Sequence, residues 1–238
     1  LSIRRQRQMC IRDRYITEIE QNRYKVSSIK LSQTVMNKLR KNSKKKSTYA
    51  SNKIEGNPLS EKQVDEVIEN DERKHYLKPE QEVRNYFLAL NFLEKKITKK
   101  ETFSKKLILD VQKLVEKGAS KEKIGFRGPM PPGVLFAVYD SKTGRPDYIP
   151  PEYCDIPNLL DELVTYVNTT DDHPLIVAAV VHYQLVTIHP FEDGNGRTAR
   201  LLSGYIMDLN GYGFNGIGSL EEYLSLIHIS EPTRLGMI

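Results

Sequence analysis

The chain has 238 residues, 39% of them hydrophobic and 28% charged, with a formal net charge of +5. That length holds one good-sized domain with extensions, or two small ones, and the composition is that of an ordinary globular protein. No apolar run reaches the length of a membrane span or of a secretory signal, so a cytoplasmic protein without a membrane partner is expected. In chain order, residues 29–39 carry few apolar positions, and a basic run follows from Lys38 to Lys46. The run reads most simply as a solvated face, with a phosphate-binding patch as the alternative. SNKIEGNP predicts a short helical piece broken at Gly56–Asn57–Pro58, after which Ser60 and Gln63 form a capping box that starts the next helix. Residues 79–94 and 104–116 each carry a helical stripe, the second built from Leu107, Ile108, Val111, Leu114 and Val115.

Residues 125–151 change character. They are rich in Gly and Pro, with one β-like run at Val134–Tyr139, a turn at Ser141–Gly144 and an extended piece ending at Pro150–Pro151. This predicts a β-hairpin or flap on a helical body. Asp155 is placed to cap a helix with Ile156, Leu159, Leu160, Leu163, Val164 and Val167 in register. Residues 174–188, PLIVAAVVHYQLVTI, are apolar nearly all round and predict a central buried helix. Pro190 disfavours helical geometry at His189 and ends it there. A helix resumes near Asn195, runs through Leu201, Leu202, Tyr205, Ile206 and Leu209, and stops at Asn210–Gly211. GYGFNG at Gly211–Gly216 follows a helix instead of a strand and reads as a loop, not a dinucleotide fingerprint. The fold class is mainly α with a β-hairpin flap.

The two ends stand apart. MCIRDR at 9–14 and LSLIHI at 224–229 are translations of one short DNA word and of its reverse complement, the form taken by translated sequencing adapter. Residues 1–14 and 224–238 are therefore expected to be adapter-derived and are set aside in reading the fold. Residues 1–14 hold five Arg against one Asp, while Glu231 and Arg234 cancel, so residues 15–223 carry about +1. That removes most of the electrostatic case for nucleic acid. Cys10 goes with the first segment, and Cys154 alone supports neither a disulfide framework nor a cysteine metal site.

The loop between the last two predicted helices, IHPFEDGNGRTAR at 188–200, concentrates the chemistry. Gly194–Asn195–Gly196 opens a helix, where unpaired N–H groups and the macrodipole favour an anion. Glycine lets the backbone approach a phosphate. Arg197 and Arg200 lie three apart on one helical face and can fork onto further phosphate oxygens. Asp193 can hold Mg²⁺, which takes one or two carboxylates plus phosphate oxygens. His189 is the group suited to take a proton near neutral pH. The set suggests a Mg-nucleotide site with a base beside it, and attack of a hydroxyl on a phosphate. Blander readings exist for each part: DGNG alone is a tight turn, the other EF-hand ligands are absent, and His173 and His182 read as packed histidines.

HPFEDGNGRTAR resembles the signature of Fic-domain proteins, His-Pro-Phe-x-Asp/Glu-Gly-Asn-Gly-Arg-x-x-Arg, at every fixed position. The resemblance implies a Fic-type helical bundle over roughly residues 45–223. It also implies transfer of AMP from ATP to a Ser, Thr or Tyr hydroxyl of a protein. Carried over, His189 is the general base, Phe191 anchors the loop and Asp193 holds the metal. Gly194, Asn195 and Gly196 form the anion hole, and Arg197 and Arg200 bind the outer phosphates. The family's kinase-like branch typically carries Lys at the second glycine, so Gly196 favours nucleotidyl transfer. The flap, Val134, Leu135, Phe136, Ala137 and Val138, would dock the target by strand addition.

SNKIEG is similar to the family's inhibitory motif, Ser/Thr-x-x-x-Glu-Gly/Asn, through Ser51, Glu55 and Gly56. A carboxylate that reaches Arg200 takes the guanidinium needed by the γ-phosphate and repels it. The expected organisation is an N-terminal helical region with this motif at 15–77 and a C-terminally truncated core at 78–223. Three readings follow. The first is an autoinhibited protein AMP-transferase with ATP and an unidentified protein, including itself, as partners. The second is the reverse reaction, with Glu55 positioning water to remove AMP. The third is a nucleic-acid-associated regulator with a vestigial pocket.

Overall fold

The computed structural model describes residues 2–70, 75–120, 124–134, 136–139, 143–214 and 216–230. Its helices are α1 (Ser2–Ser27), α2 (Gln33–Ile54), α3 (Glu61–Glu69), α4 (Lys78–Thr98), α5 (Lys105–Glu116), α6 (Ile156–Thr169), α7 (Pro174–Ile188), α8 (Asn195–Leu209) and α9 (Leu220–Ser230). Between α5 and α6, β1 (Val138–Tyr139) pairs antiparallel with β2 (Pro146–Tyr148).

The core gathers around α8. α7 packs along it from one side and α4 and α5 from another, with α6 behind α5 and α7. Leu107, Ile108, Val111 and Val115 of α5 meet Val181 and Leu185 of α7 and Leu201, Leu202 and Tyr205 of α8, all nearly inaccessible to water. Burying a side chain of this size stabilises by about 1.5–3 kcal/mol, so this cluster fixes where the loop between α7 and α8 must emerge. A second cluster, Val64, Val67 and Val83, seats α3 on α4. The Ser60–Gln63 capping box forms as the sequence predicts.

Five expectations are corrected. Residues 33–54 form one helix, not a sparse stretch, a basic face and a short piece. It starts at Ser32, whose hydroxyl accepts from Val35 N, and stops at Gly56, whose φ of +79° needs glycine. The Lys38–Lys46 run is not a plain solvated face either. Lys44 pairs with Glu94 at 2.6 Å, Lys45 with Glu69 at 2.9 Å and Asp65 at 3.2 Å, and Lys46 with Glu222 at 2.8 Å. These partners come from distant elements, which local sequence does not display. α7 is not buried all round: Tyr183 and Val186 are exposed, because only one face meets α6 and α8. The flap strand is two residues long. Val134 turns back on Pro131, Phe136 and Ala137 lie outside the strand, and Leu135 and residues 140–142 fall outside the described residues. Pro146 and an irregular register at Val138/Tyr139 limit the ladder. Asp155 occupies the N-cap position of α6, but its side chain makes no capping bond there.

His173 is a packed histidine, as expected. Its Nδ1 accepts from Leu175 N at 3.3 Å, and its ring meets Tyr212 edge-on. Arg23 of α1 lies over that Tyr212 ring, 4.5 Å from its centroid.

Candidate active site

Helix α7 gives way at His189, which takes a left-handed conformation (φ 49°, ψ 57°) while its N–H still bonds Leu185 O at 3.1 Å. A non-glycine residue there costs of order 1 kcal/mol and persists only where its surroundings hold it. The ring Nδ1 lies 3.2 Å from Val186 O. A carbonyl only accepts, so this contact puts the hydrogen on Nδ1 and leaves the Nε2 lone pair as the basic site. Burial holds the imidazole below its usual 6.5 against the Val186 bond, which favours the charged ring; Arg127 adds to the lowering, and Glu55 and Asp193 oppose it. The ring is therefore neutral at physiological pH and able to accept a proton.

Phe191 is buried and stacks on Phe126, with centroids 5.5 Å apart, and the two backbones form an isolated antiparallel bridge. The Asn195 side chain closes the loop: its Oδ1 accepts from Phe191 N at 3.0 Å and its Nδ2 donates to Phe191 O at 2.8 Å. Only the backbone of Asn195 is thus left for the anion hole. Gly194 precedes α8 at φ 82°, and its N–H donates to Asp193 Oδ1 at 2.6 Å. The first helical bond of α8 runs from Thr198 N to Gly194 O. The N–H groups of Asn195, Gly196 and Arg197 therefore point out of the helix start, the arrangement that receives an anion.

An anion already sits there. A Cβ built on Gly196 would lie 2.5 Å from Glu55 Oε1, so this carboxylate, delivered by the end of α2, rests on the first turn of α8. The same oxygen accepts from Arg200 Nη2 at 2.6 Å. Arg200 is fixed further by Ser51, through Nε to Oγ at 2.8 Å and Nη2 to the carbonyl at 3.2 Å. Ser51, Glu55 and Arg200, separated by about 150 positions of sequence, form one contact. Gly56 supplies the turn beyond it, with open space where a Cβ would sit.

Arg197 points elsewhere. Its Nη2 lies 3.0 Å from Glu116 Oε1 and 3.5 Å from Asp193 Oδ1, and its Nη1 is 3.8 Å from Glu82. Glu116 is buried without a directed hydrogen bond, and burial pushes its pKa up to about 7, against the pull of Arg197. Its Oε1 also lies 2.4 Å from where a Cβ on Gly194 would sit. Sequence reasoning missed Glu116, which looks like the last residue of an apolar stripe; a carboxylate following Val115 on the buried side is the signal it leaves. Gln112, one turn earlier, accepts from Gly125 N at 3.2 Å and reaches Asp193 O at 3.5 Å. Arg127 was missed too, inside a Gly- and Pro-rich stretch. Of the flap residues, Phe136 faces His189, with centroids 6.0 Å apart, Val138 lies in β1, and Val134 is exposed.

Among the described residues, no three His, Cys, Asp or Glu side chains cluster as a metal site. Asp193, with its side chain 42% exposed beside the helix start, suits a cation that takes most of its ligands from phosphate and water.

Residues 102–207 match the family model described as "Fic/DOC family". The chain is 31% identical over 186 residues to "Protein adenylyltransferase fic-1" of Caenorhabditis elegans, covering 74% of this chain and 34% of that protein. It is 27% identical over 207 residues to "Protein adenylyltransferase Fic" of Drosophila grimshawi, covering 84% of this chain and 40% of that one. The chain thus spans well under half the length of these curated relatives. Among solved structures, a Fic domain containing signaling protein from Bacteroides thetaiotaomicron superposes with a TM-score of 0.72 at 23% identity, covering 93% of this chain and 83% of that one. Fic-1 (residues 134–508) from C. elegans gives the same TM-score at 23% identity, with 93% and 73% covered.

Proposed function

From the premise that this chain carries a Fic/DOC-family domain, we propose that it transfers AMP from ATP to a hydroxyl of a protein and is held inactive by its own Glu55. The observation that carries the reading is the Glu55 carboxylate resting on Gly196 and bonded to Arg200. It is an internal anion in the place suited to a phosphate.

The chemistry follows from the loop. The triphosphate takes the N–H groups that open α8, and the attacking hydroxyl approaches the α-phosphate beside His189. Nε2 removes the hydroxyl proton as its oxygen bonds to phosphorus. The bond from phosphorus to the bridging oxygen breaks, and pyrophosphate leaves with that electron pair. Asp193 would hold Mg²⁺, which when bound neutralises phosphate charge. With Glu55 in place the γ-phosphate loses Arg200 and meets a like charge, so the α-phosphate is not presented to the base. The flap offers a short strand edge at Val138–Tyr139 to an acceptor chain. The ion pairs of Lys44, Lys45 and Lys46 weaken the nucleic-acid reading, because these three basic groups already have carboxylate partners.

The test is transfer of label from α-³²P-ATP and, separately, γ-³²P-ATP by the Glu55→Gly protein in lysate. Label from the α-position on the protein itself or an acceptor, lost again in Glu55→Gly/His189→Ala, is the expected result. Label arriving only from the γ-position, or none from either, would overturn the reading.

A further inference from the structure

The carbonyls from Leu185 to Pro190, at and just past the end of α7, cannot all be bonded within the helix. Each nevertheless has a partner, and the partners divide in two. Leu185 O takes the His189 N–H at 3.1 Å, and Val186 O faces His189 Nδ1 at 3.2 Å. The other four are served from the flap. Tyr148 Oη donates to Thr187 O at 2.8 Å. Arg127 donates from Nη2 to Ile188 O at 3.5 Å, from Nε to His189 O at 2.8 Å, and from its backbone N to Pro190 O at 2.9 Å. The same guanidinium donates to Pro151 O at the far root of the flap. It also lies 4.6 Å from the Phe136 ring centroid, and that ring faces His189.

We propose that Arg127 is the positioning residue of the catalytic base: it ties the backbone of Ile188, His189 and Pro190 to both roots of the flap and so holds the left-handed turn in which Nδ1 is bound and Nε2 is free. The proposal rests on His189 being the base of the reaction above. Arg127 acts through the backbone, since its N, Nε and Nη2 donors end on carbonyls. A guanidinium suits the task because its planar fork directs donors to several carbonyls at once, whereas a lysine ammonium on one stem reaches fewer of them. A left-handed histidine relaxes unless its surroundings hold it, and here the holding is done from the flap. An acceptor strand that steadies the flap would by the same bonds steady the base, which links target docking to proton transfer.

The test uses the full chain with Glu55→Gly as parent, ¹⁵N-labelled at histidine, with Arg127→Gln and Arg127→Lys added and the His189 signals assigned by loss in His189→Ala. In the parent at pH 8, His189 should show one tautomer, with Nδ1 protonated. In Arg127→Gln it should show a mixture, with kcat for transfer down about tenfold or more while KM for ATP stays within about threefold. Arg127→Lys should lie between the two. A folded Arg127→Gln protein with an unchanged His189 spectrum overturns the proposal, as does a loss shared equally by kcat and ATP binding. Where Arg127→Gln does not fold, Phe136→Ala removes the ring that packs on the guanidinium and should move the spectrum the same way by less; no movement overturns the proposal. The spectrum needs neither nucleotide nor acceptor. A parent that transfers no AMP therefore sinks the activity while the spectrum still decides the positioning.

Discussion

Two arginines, one helical turn apart on α8, sit in opposite circumstances. Arg197 and Arg200 have side chains equally hidden, each 6% exposed, and each faces a carboxylate across a glycine of the loop. The partner of Arg197 is Glu116, 2% exposed, buried at the C-terminal end of α5. The partner of Arg200 is Glu55, 39% exposed, carried on the last turn of α2. Withdrawing either carboxylate leaves a buried guanidinium, but Arg200 keeps its two bonds to Ser51 and Glu55 can turn out into water, whereas Glu116 is enclosed. Equal burial of a cation thus says little about its role; the freedom of its partner separates a fixed support from a releasable one.

That contrast is breakable, most sharply at Glu116. Glu116→Ala leaves Arg197 buried without its nearest partner and should cost about 3 kcal/mol or more, read from urea denaturation. Glu55→Ala should cost clearly less, about 1 kcal/mol, because Glu55 is half-exposed and Arg200 keeps its two bonds to Ser51. Equal losses from the two variants would erase the distinction. The glycines give the next largest effect. Gly194→Ala meets the rigid Glu116 carboxylate at 2.4 Å and adopts φ 82°, so a loss of about 1–3 kcal/mol is expected. Gly196→Ala meets the mobile end of Glu55 at 2.5 Å and has an ordinary helical backbone, so its loss should be smaller, with the Arg200 bond to Glu55 weakened.

On activity, Glu55→Gly should raise AMP transfer about tenfold or more, the worth of one charge-assisted hydrogen bond, whereas relieving Glu116 should lower it. The pH dependences also differ. Glu116 titrates near pH 7 when folded against an ordinary 4.5, so stability is full below 4.5 and declines as pH rises through 7. Glu116→Gln should flatten that decline in a pH series of melts. His189 has the opposite direction: its pKa is lowered, so the acid limb of transfer by Glu55→Gly protein should fall below pH 6.5. The smallest effect belongs to salt, which should loosen the half-exposed Glu55 contact before the buried Glu116 one.

The sequence made some of this legible because the controlling physics is local. The Ser60–Gln63 capping box, the apolar stripe of α5, the break before Pro190 and the glycines opening α8 depend on neighbours within a turn or two, and each lies where its residues predict. Other features were hidden because their partners are remote in sequence. The Lys44–Lys46 run looks solvated until Glu94, Asp65 and Glu222 arrive from three other places. Val134–Tyr139 has strand composition over six residues, but the partner strand, which begins at a proline, supports only two.

By itself the sequence determined which groups the loop carries: a histidine stopped by a proline, a carboxylate, a glycine-bounded helix start and two arginines. Their spacing also determined that they share one turn, since local backbone geometry leaves little choice. Only the tertiary structure decided how these groups are employed. It joined Asn195 to Phe191, gave Arg197 to Glu116 and Arg200 to Glu55, and put the His189 turn in the keeping of Arg127. Those pairings span 4 to 145 positions of chain, and the longer ones exist because α2 and α5 pack against α8 and the flap is bonded to the end of α7.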